Sequence, residues 1–298
     1  MRQITCPVCR TSPENHPEPQ SICRCDSCGL RWTYLPQDVD AAALYSDEVY
    51  AVVDNRKSLF ERIIFSEAKK VLRQARKISP SARKLLDFGS GKGQFLAVAK
   101  GLDWVGLGVE TARERSDFAR EKYRVDVLDE YYQGGVIKAG DFDFISLNHV
   151  LEHLPDPMAF MGELLGKNLS PAGLVYIEVP RADSWQASLA GKNWMHWDIP
   201  KHLTHWTQPD LVREFSKMGY HPVGFRSVSV HLGVLGMVQA LLSKLGYRQN
   251  LILRLKQKKS LGLMLSLALV LPLAATLEGL SSLVARSGVV GIYLKRNG

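Results

Sequence analysis

The sequence has no cysteine after Cys28 and no acidic residue from Phe215 to Leu277. The first absence confines any metal or disulfide chemistry of cysteine to the N-terminal segment. The second confines the excess positive charge, because that stretch carries eight basic residues, equal to the net charge of +8. A uniformly basic nucleic-acid-binding protein is therefore excluded. Met1–Cys9 also lacks the apolar core of a signal peptide, and we expect a cytosolic protein.

Four cysteines form two C-x2-C pairs, Cys6 with Cys9 and Cys25 with Cys28, separated by fifteen residues. Two such pairs place four thiolates around Zn²⁺, and the metal stabilises a segment too short for its own core. Because four thiolates leave no open coordination position, we expect a structural zinc ribbon. Free thiols or disulfides are the alternative, and Cys23 is a spare thiol that could compete with Cys25.

Strands and helices alternate after residue 80, which predicts a doubly wound α/β fold with a mainly parallel sheet. The predicted strands are Lys84–Phe88, Trp104–Val109, Arg124–Leu128, Phe142–Leu147, Leu174–Val179, His221–Ser229 and Val289–Leu294. The predicted helices are Arg56–Ile78, Phe95–Lys100, Ala112–Tyr123, Met158–Asn168 and Pro209–Met218. Ligands bind such sheets outside the carboxyl ends of the strands, so residues that follow strands are the first site candidates.

A glycine-rich turn follows the first of these strands. Asp87 lies near the end of the apolar run, and Gly89, Gly91 and Gly93 alternate with other residues before a helical segment begins. Glycine lets the chain turn sharply and brings bare backbone against a ligand. Gln94 stands where a dinucleotide-binding G-x-G-x-x-G motif needs its last glycine. The alternative is a purely structural turn in which Asp87 is a partner of the helix dipole.

The G-x-G-x-G turn resembles motif I of the class I S-adenosylmethionine (SAM)-dependent methyltransferases. Glu110 ends the second strand, where a carboxylate can accept hydrogen bonds from both ribose hydroxyls. The block Asn148–Pro157 resembles the LEH-x-PDP stretch of members that act on quinones, sugars and small metabolites. The resemblance implies a seven-stranded Rossmann-like sheet and SAM as cofactor. The residues implied to contact SAM are Asp87, Gly89, Gly91, Gly93, Glu110 and Asn148.

Three histidines are candidate general bases. His202 lies in the polar, aromatic segment Trp185–Thr207, which we expect to be irregular and to hold substrate. It matches a histidine of sugar C-methyltransferases that carry an N-terminal four-cysteine zinc module, although neighbouring residues of that motif differ here. The sulfonium methyl group is already activated, so the chemistry needs alignment and a proton acceptor. His149 and His153 are the other candidates, and each histidine could instead hold a loop by hydrogen bonds to backbone.

An insert of 58 residues, 230–287, lies between the last two predicted strands, where the family has a close antiparallel pair. Two nearly uncharged runs, Ser227–Ser243 and Ser260–Leu277, flank the basic stretch Lys244–Lys259. Both ends of the insert return to one sheet, so we predict a helical hairpin that dips into one leaflet of an anionic membrane. An apolar lid or a dimer interface is the alternative.

The predicted organisation is a zinc ribbon, a linker with a helix, a methyltransferase core, an insert and a final core strand. The zinc ribbon spans 1–35, the linker with its helix 36–80, the core 81–229, the insert 230–287 and the final strand 288–298. We predict methyl transfer from SAM to a small or lipid-linked acceptor, sugar- or quinone-like, at the inner face of the cytoplasmic membrane. An RNA methyltransferase that uses the ribbon as RNA reader is disfavoured because residues 1–53 are not basic. A non-catalytic cofactor-binding protein is the third hypothesis.

Overall fold

The computed structural model of the chain describes residues 4–13, 18, 20–35, 52, 54–138, 140–247, 251, 254 and 261–298. The chain divides into two compact units. We call the first the ribbon unit; its segments are Met1–Ala51, Pro180–Gln208 and Arg226–Val290. We call the second the sheet unit; its segments are Val52–Val179, Pro209–Phe225 and Gly291–Gly298.

The strands and helices of the described residues follow the predicted alternation. The strands are β1 (Ile22–Arg24), β2 (Arg31–Thr33), β3 (Lys84–Phe88), β4 (Val105–Glu110), β5 (Asp126–Asp129), β6 (Phe142–Asn148), β7 (Leu169–Pro180), β8 (Thr204–His205), β9 (Tyr220–Arg226) and β10 (Val289–Arg296). The helices are α1 (Leu59–Ile78), α2 (Gln94–Lys100), α3 (Arg113–Phe118), α4 (Pro157–Asn168), α5 (Trp185–Ala190), α6 (Gln208–Lys217), α7 (Leu235–Lys244) and α8 (Leu261–Leu283).

The sheet unit is built on seven strands in the order β5-β4-β3-β6-β7-β10-β9. Neighbours from β5 to β7 run parallel, and Phe88 pairs with Val109 on one side and Leu147 on the other. The carboxyl ends of β3, β4 and β6 therefore lie at one edge of the sheet. The glycine turn, Glu110 and Asn148 all reach that edge, which confirms the predicted seven-stranded Rossmann-like fold.

Apolar residues on both faces of the central strands explain why this sheet is covered by helices. Leu85 and Leu86 point to opposite faces of β3, and both are fully buried. Helix α1 begins at its N-cap Ser58, whose side chain accepts a hydrogen bond from the Glu61 amide. Its apolar stripe includes Leu72, which belongs to the same core cluster as Leu85. The helix thus closes one face of the sheet.

The ribbon unit contains a second, three-stranded sheet in the order β1-β2-β8. Strands β1 and β2 form an antiparallel hairpin, and β2 also pairs antiparallel with β8, placing Trp32 opposite Thr204. The amide of Thr33 donates to the carbonyl of Leu203 at 2.9 Å. The hairpin, whose turn carries Cys25 and Cys28, is thereby joined to the segment predicted to hold substrate.

Two helices of the insert, α7 and α8, also belong to the ribbon unit and pack on each other. Their buried contacts include Met237 and Val238 of α7 and Ala274 of α8. By length and composition, the stretch Leu265–Leu283 is long and apolar enough to cross a membrane. Only 17% of its apolar 18-residue window is buried inside the protein. The predicted helix pair is present, and its predicted membrane contact stays a prediction.

Three expected boundaries differ from the structure. Strand β7 begins at Leu169, although a turn was expected at 170–173. The register with β6 jumps from the pair Phe142–Leu169 to the pair Phe144–Leu174, so the extra residues of β7 form a bulge. The expected irregular segment Trp185–Thr207 contains helix α5 and strand β8, because β2 supplies the strand with a distant partner. Strand β9 ends at Arg226, before the predicted end at Ser229.

The compact units also group segments differently from the predicted domains. Residues 180–208 and 226–229 were expected in the methyltransferase core, but they belong to the ribbon unit with the cysteines and most of the insert. Pairing of β2 with β8 gives the physical reason, since it joins residues far apart in sequence. Most of the predicted linker at 36–53 and part of the basic stretch at 248–260 lie outside the described residues.

Candidate functional site

The glycine turn after β3 has the backbone conformation that its composition predicts. Gly89, Gly91 and Gly93 have φ angles of +72°, +54° and +76°, a region that residues with a Cβ rarely adopt. A Cβ at Gly89 would lie 2.4 Å from Val150, and one at Gly93 would lie 2.7 Å from Ala119. At Gly91 no described atom lies within 4 Å of that position. Two glycines therefore permit packing, and the third leaves its backbone open to a ligand.

Glu110 closes this turn from the neighbouring strand. Its side chain is 7% exposed and accepts hydrogen bonds from the Gly91 amide at 2.7 Å and the Ala112 amide at 3.0 Å. Each carboxylate oxygen has a second lone pair, so both can still accept from neighbouring hydroxyl groups of a ligand. Both oxygens could thus accept from the ribose diol of SAM, and this predicted contact of Glu110 stays a prediction.

Asp87 lies in β3, the strand next to β4, and is 2% exposed. Burial raises the pKa of its carboxyl group to about 7, although hydrogen bonds from Ser146 and Asn148 oppose the shift. The Ser146 hydroxyl donates at 2.7 Å and the Asn148 amide at 3.3 Å. Asp87 is thus held by β6 at the edge of the sheet, and Asn148 lies beside it. Contact of either residue with SAM stays a prediction.

His149 follows Asn148 with a left-handed backbone conformation, φ +55°. Its Nδ1 lies 3.3 Å from Glu152, and its Nε2 lies 3.3 Å from Glu178. Burial disfavours the charged ring, but the two carboxylates outweigh that cost and raise the pKa of His149 to about 10. At neutral pH both ring nitrogens then carry protons. This state favours a positioning role for His149 over that of a base.

Glu178 was not among the predicted site residues. It lies near the end of β7, is 4% exposed and also accepts a hydrogen bond from the Tyr176 hydroxyl at 2.5 Å. The only local indication was an acidic residue inside the otherwise apolar run Leu174–Val179. A buried acid in such a strand needs a partner, and His149 supplies it from the end of the adjacent strand. His153, the third candidate, ends the helical turn Leu151–His153 of the same unit.

His202 belongs to the ribbon unit and is 7% exposed. Its Nδ1 lies 2.7 Å from the carbonyl oxygen of His196, which can only accept, so Nδ1 carries the proton in the neutral ring. Its Nε2, 4.0 Å from an Asp198 oxygen, is then the basic nitrogen. The Thr33 hydroxyl donates to the His202 carbonyl at 2.6 Å and holds this residue from the ribbon hairpin. A neutral His202 ring would therefore accept a proton at Nε2, and its role as general base stays a prediction.

The four predicted metal ligands lie together in the ribbon unit. The sulfur atoms of Cys6, Cys9, Cys25 and Cys28 are all within 4.8 Å of one another. The distances of 3.7 Å for Cys6–Cys28 and 3.4 Å for Cys9–Cys25 exceed a disulfide bond of about 2.05 Å. A tetrahedral site with Zn–S bonds of about 2.3 Å separates its sulfurs by about 3.8 Å. The cluster therefore has the dimensions and donor set of a Zn²⁺ site, and Cys23 is not part of it.

Comparison with known families decides the class of the sheet unit. A family model described as a methyltransferase domain matches residues 60–223, which are 164 of the 298 residues. The chain belongs to this methyltransferase family. The predicted membership of the class I SAM-dependent methyltransferases is confirmed at the level of family and fold. No curated protein matches the chain.

Solved structures similar to this methyltransferase share its fold at low sequence identity. The plantazolicin methyltransferase BpumL in complex with SAH is 14% identical, with a TM-score of 0.53 over 86% of this chain and 93% of that one. The same enzyme with SAH and a pentazolic desmethylPZN analog is 17% identical, with a TM-score of 0.52 over 86% of this chain and 94% of that one. A SAM-dependent methyltransferase from Archaeoglobus fulgidus is 18% identical, with a TM-score of 0.48 over 79% of this chain and 97% of that one. At these identities the similarity to the two BpumL structures shows the fold alone.

The charge state of His149 gives a testable prediction. NMR of the His149 ring should show the charged form from pH 6 to pH 8.5, with assignment by loss of the signal in His149→Gln. Substitution of Glu178 by Gln should lower the pKa, because one of two compensating carboxylates is removed. Titration of wild-type His149 near 6.5, or no change in Glu178→Gln, would contradict this assignment.

The same pKa shift predicts how stability depends on pH. The folded pKa of His149 lies above its ordinary value of 6.5, so its stabilising contribution is complete below pH 6.5 and lost as pH rises toward 10. Urea unfolding should therefore show the largest stability loss of His149→Gln below pH 6.5 and a smaller loss at pH 9.

Proposed function

We propose that this protein transfers a methyl group from SAM to a lipid-linked acceptor of the sugar or quinone type, at the cytoplasmic face of a membrane. The observation that carries the proposal is an exposed apolar face on α8 of a chain that belongs to a methyltransferase family. We call this surface the leucine face; its residues are Leu265, Leu269, Leu273, Leu280 and Leu283.

The leucine face lies on one side of α8, where the exposed Thr276 is the polar residue between Leu273 and Leu280. At about 100° per residue, its five side chains fall within an arc of about 80°. Their exposed fractions run from 47% at Leu280 to 82% at Leu283. Ala274 and Glu278, which are buried, lie on the opposite side of the helix. A helix on a water-exposed surface normally carries polar residues on its outer face, so the leucine face needs an apolar environment.

Burial of these leucines would contribute substantial binding energy. Transfer of one leucine side chain from water to an apolar phase is worth about 1.5–3 kcal/mol when it is complete. The five leucines are about half or more exposed, so a bilayer could supply several kcal/mol in total. This energy is available without any change in the packing of α8 on α7.

Charge favours an anionic bilayer over a second copy of the chain as the partner. The sequence Lys244–Lys259, just before α8, holds six basic residues and no acidic residue. Each basic residue near an anionic lipid surface contributes about 1 kcal/mol. A second copy would carry an equally basic segment, and this like charge opposes association. An anionic membrane supplies both the apolar phase and the opposite charge.

The chemistry requires only cofactor binding, alignment and proton removal. Gly91 and Glu110 fit the ribose-bearing part of SAM, and the cofactor supplies an activated methyl group when bound. His202 has a basic Nε2 and is the first candidate to accept the proton of the attacking group. His149 is protonated at neutral pH and fits a positioning role.

Methyl transfer can be tested with tritiated SAM and the total lipid extract of the source organism. We expect label in the organic phase with the wild-type protein. His202→Gln should lower kcat by roughly 100-fold or more with little change in the KM for SAM, because loss of a general base affects the chemical step. Label found only in RNA or in water-soluble products would contradict the proposed acceptor.

Membrane docking can be tested by flotation. The wild-type chain should float with phosphatidylglycerol vesicles and much less with phosphatidylcholine vesicles, because both charge and apolar burial are needed. Leu269→Gln should weaken binding by roughly tenfold, because it places an amide in the bilayer. Leu59→Gln is the matched control, since Leu59 of α1 is 73% exposed outside the leucine face. Equal flotation of both variants would contradict docking by the leucine face.

We also propose that Cys6, Cys9, Cys25 and Cys28 hold one structural Zn²⁺. Metal analysis should find one zinc per chain, lost in Cys25→Ser and retained in the control variant Cys23→Ser. Chelation should speed amide exchange of Thr33 at least tenfold, because this amide donates to the Leu203 carbonyl where the ribbon hairpin pairs with β8. The exchange rates of the β3 amides should not change on chelation. Retention of zinc in Cys25→Ser, or its loss in Cys23→Ser, would contradict this ligand set.

A further inference from the structure

A cationic groove of about 250 Å³ lies in the ribbon unit, and none of the four clustered cysteines lines it. Strands β1 and β2 form one side of it, and the chain from Gly191 to Trp197 forms the other. Of the described residues that line it, Arg24, Arg31 and Lys192 are cationic and none is acidic. We call it the arginine groove. Neither the SAM site nor the candidate bases use these residues.

The two arginines lie in an unfavourable arrangement. Arg24 and Arg31 are direct partners in the antiparallel register of β1 and β2, so their side chains leave the hairpin on the same face. Like charges at such positions repel each other. Among the described residues, neither arginine nor Lys192 forms an ion pair, and the one contact of the Arg31 guanidinium is 3.5 Å from the Ala182 carbonyl. The groove therefore holds two cations on the hairpin and one on the facing segment, and none of the three forms an ion pair with a described residue.

The opposite side of the groove has an aromatic side chain that is held in place. The indole nitrogen of Trp197 donates to the carbonyl of Gly191 at 2.9 Å. The ring also makes edge-to-face contacts with Trp194 at 4.8 Å and His205 at 4.9 Å between centroids. Trp197 thus presents a fixed apolar surface next to the cations. A ring attached to an anionic group could stack there while the cations hold the charge.

We propose that the arginine groove binds the diphosphate of a ligand that carries an attached ring. Arg24, Arg31 and Lys192 hold the phosphate oxygens, because guanidinium groups match phosphate geometry with paired hydrogen bonds. Trp197 stacks on the ring next to the diphosphate. The site deepens the proposed function and rests on it for the source of the ligand: a sugar linked to a lipid through diphosphate has this chemistry, and so does a soluble nucleoside diphosphate.

Calorimetry on the full-length zinc-loaded protein tests the arginine groove. Inorganic pyrophosphate and UDP should both bind the wild type. Arg31→Gln and Lys192→Gln should weaken both ligands by roughly tenfold or more, since each variant removes a charge-assisted hydrogen bond. Trp197→Leu should weaken UDP and leave pyrophosphate nearly unchanged. Lys77→Gln, at an exposed lysine of α1, is the matched control for loss of one charge and should bind both normally.

Stability separates a binding role from a structural one. If the two arginines bind a ligand, their mutual repulsion destabilises the ligand-free protein. Arg24→Gln should then melt at the same temperature as the wild type or higher, and its affinity for pyrophosphate should fall. A lower melting temperature with unchanged affinity would overturn the proposal. Absence of pyrophosphate and UDP binding to the wild type, or equal weakening by Lys77→Gln and Arg31→Gln, would also overturn it.

Two further arms identify the source of the ligand and separate this site from the methyl-transfer proposal. Phosphatidylcholine vesicles that contain a polyprenyl diphosphate should bind the wild type and lose binding in Arg31→Gln if the lipid-linked form is the ligand; binding of UDP alone would assign the soluble form. SAM affinity should be the same in all groove variants. Pyrophosphate binding without methyl transfer to lipid would refute the proposed function and leave the groove standing, and the reverse result would refute the groove alone.

Discussion

The hydrogen bond from the Gly91 amide to the Glu110 carboxylate, 2.7 Å long, joins the glycine turn to the end of the neighbouring strand. It depends on a left-handed backbone at the turn, which glycine adopts without strain. It also depends on the parallel register of β3 and β4, which brings both groups to one edge of the sheet. Asp87 and Asn148 meet at the same edge for the same reason. The shape of the candidate SAM site follows from this constraint.

The ribbon unit is organised by a different constraint, which is the burial of polar groups among apolar helices. Glu278 is 3% exposed and accepts from the Gly288 amide at 2.8 Å and from Gln186 at 3.1 Å. Burial raises the pKa of this carboxyl group, while these hydrogen bonds oppose the shift. They fasten α8 to α5 and to the start of β10. The inner side of α8 is thereby fixed, and its leucines stay on the outer side.

Local patterns in the sequence predicted most of the sheet unit. Strand β3 and the glycine turn were placed correctly, because apolar runs and glycine spacing report short-range structure. Strand β8 was missed because its partner β2 lies far away in the sequence and the segment itself is polar. The protonated state of His149 was missed for a similar reason, since Glu178 reaches it from another strand. What depends on long-range partners could not be predicted from one sequence.

Calorimetric titration of SAM into the purified wild-type protein and into Glu110→Gln tests the central claim most directly. The wild type should bind one SAM per chain. Glu110→Gln should fold normally and bind SAM roughly 10- to 100-fold more weakly, because charge-assisted hydrogen bonds to the ribose are lost. No binding of SAM to the wild type, or equal affinity in the two proteins, would contradict a cofactor site built on the Gly91–Glu110 turn.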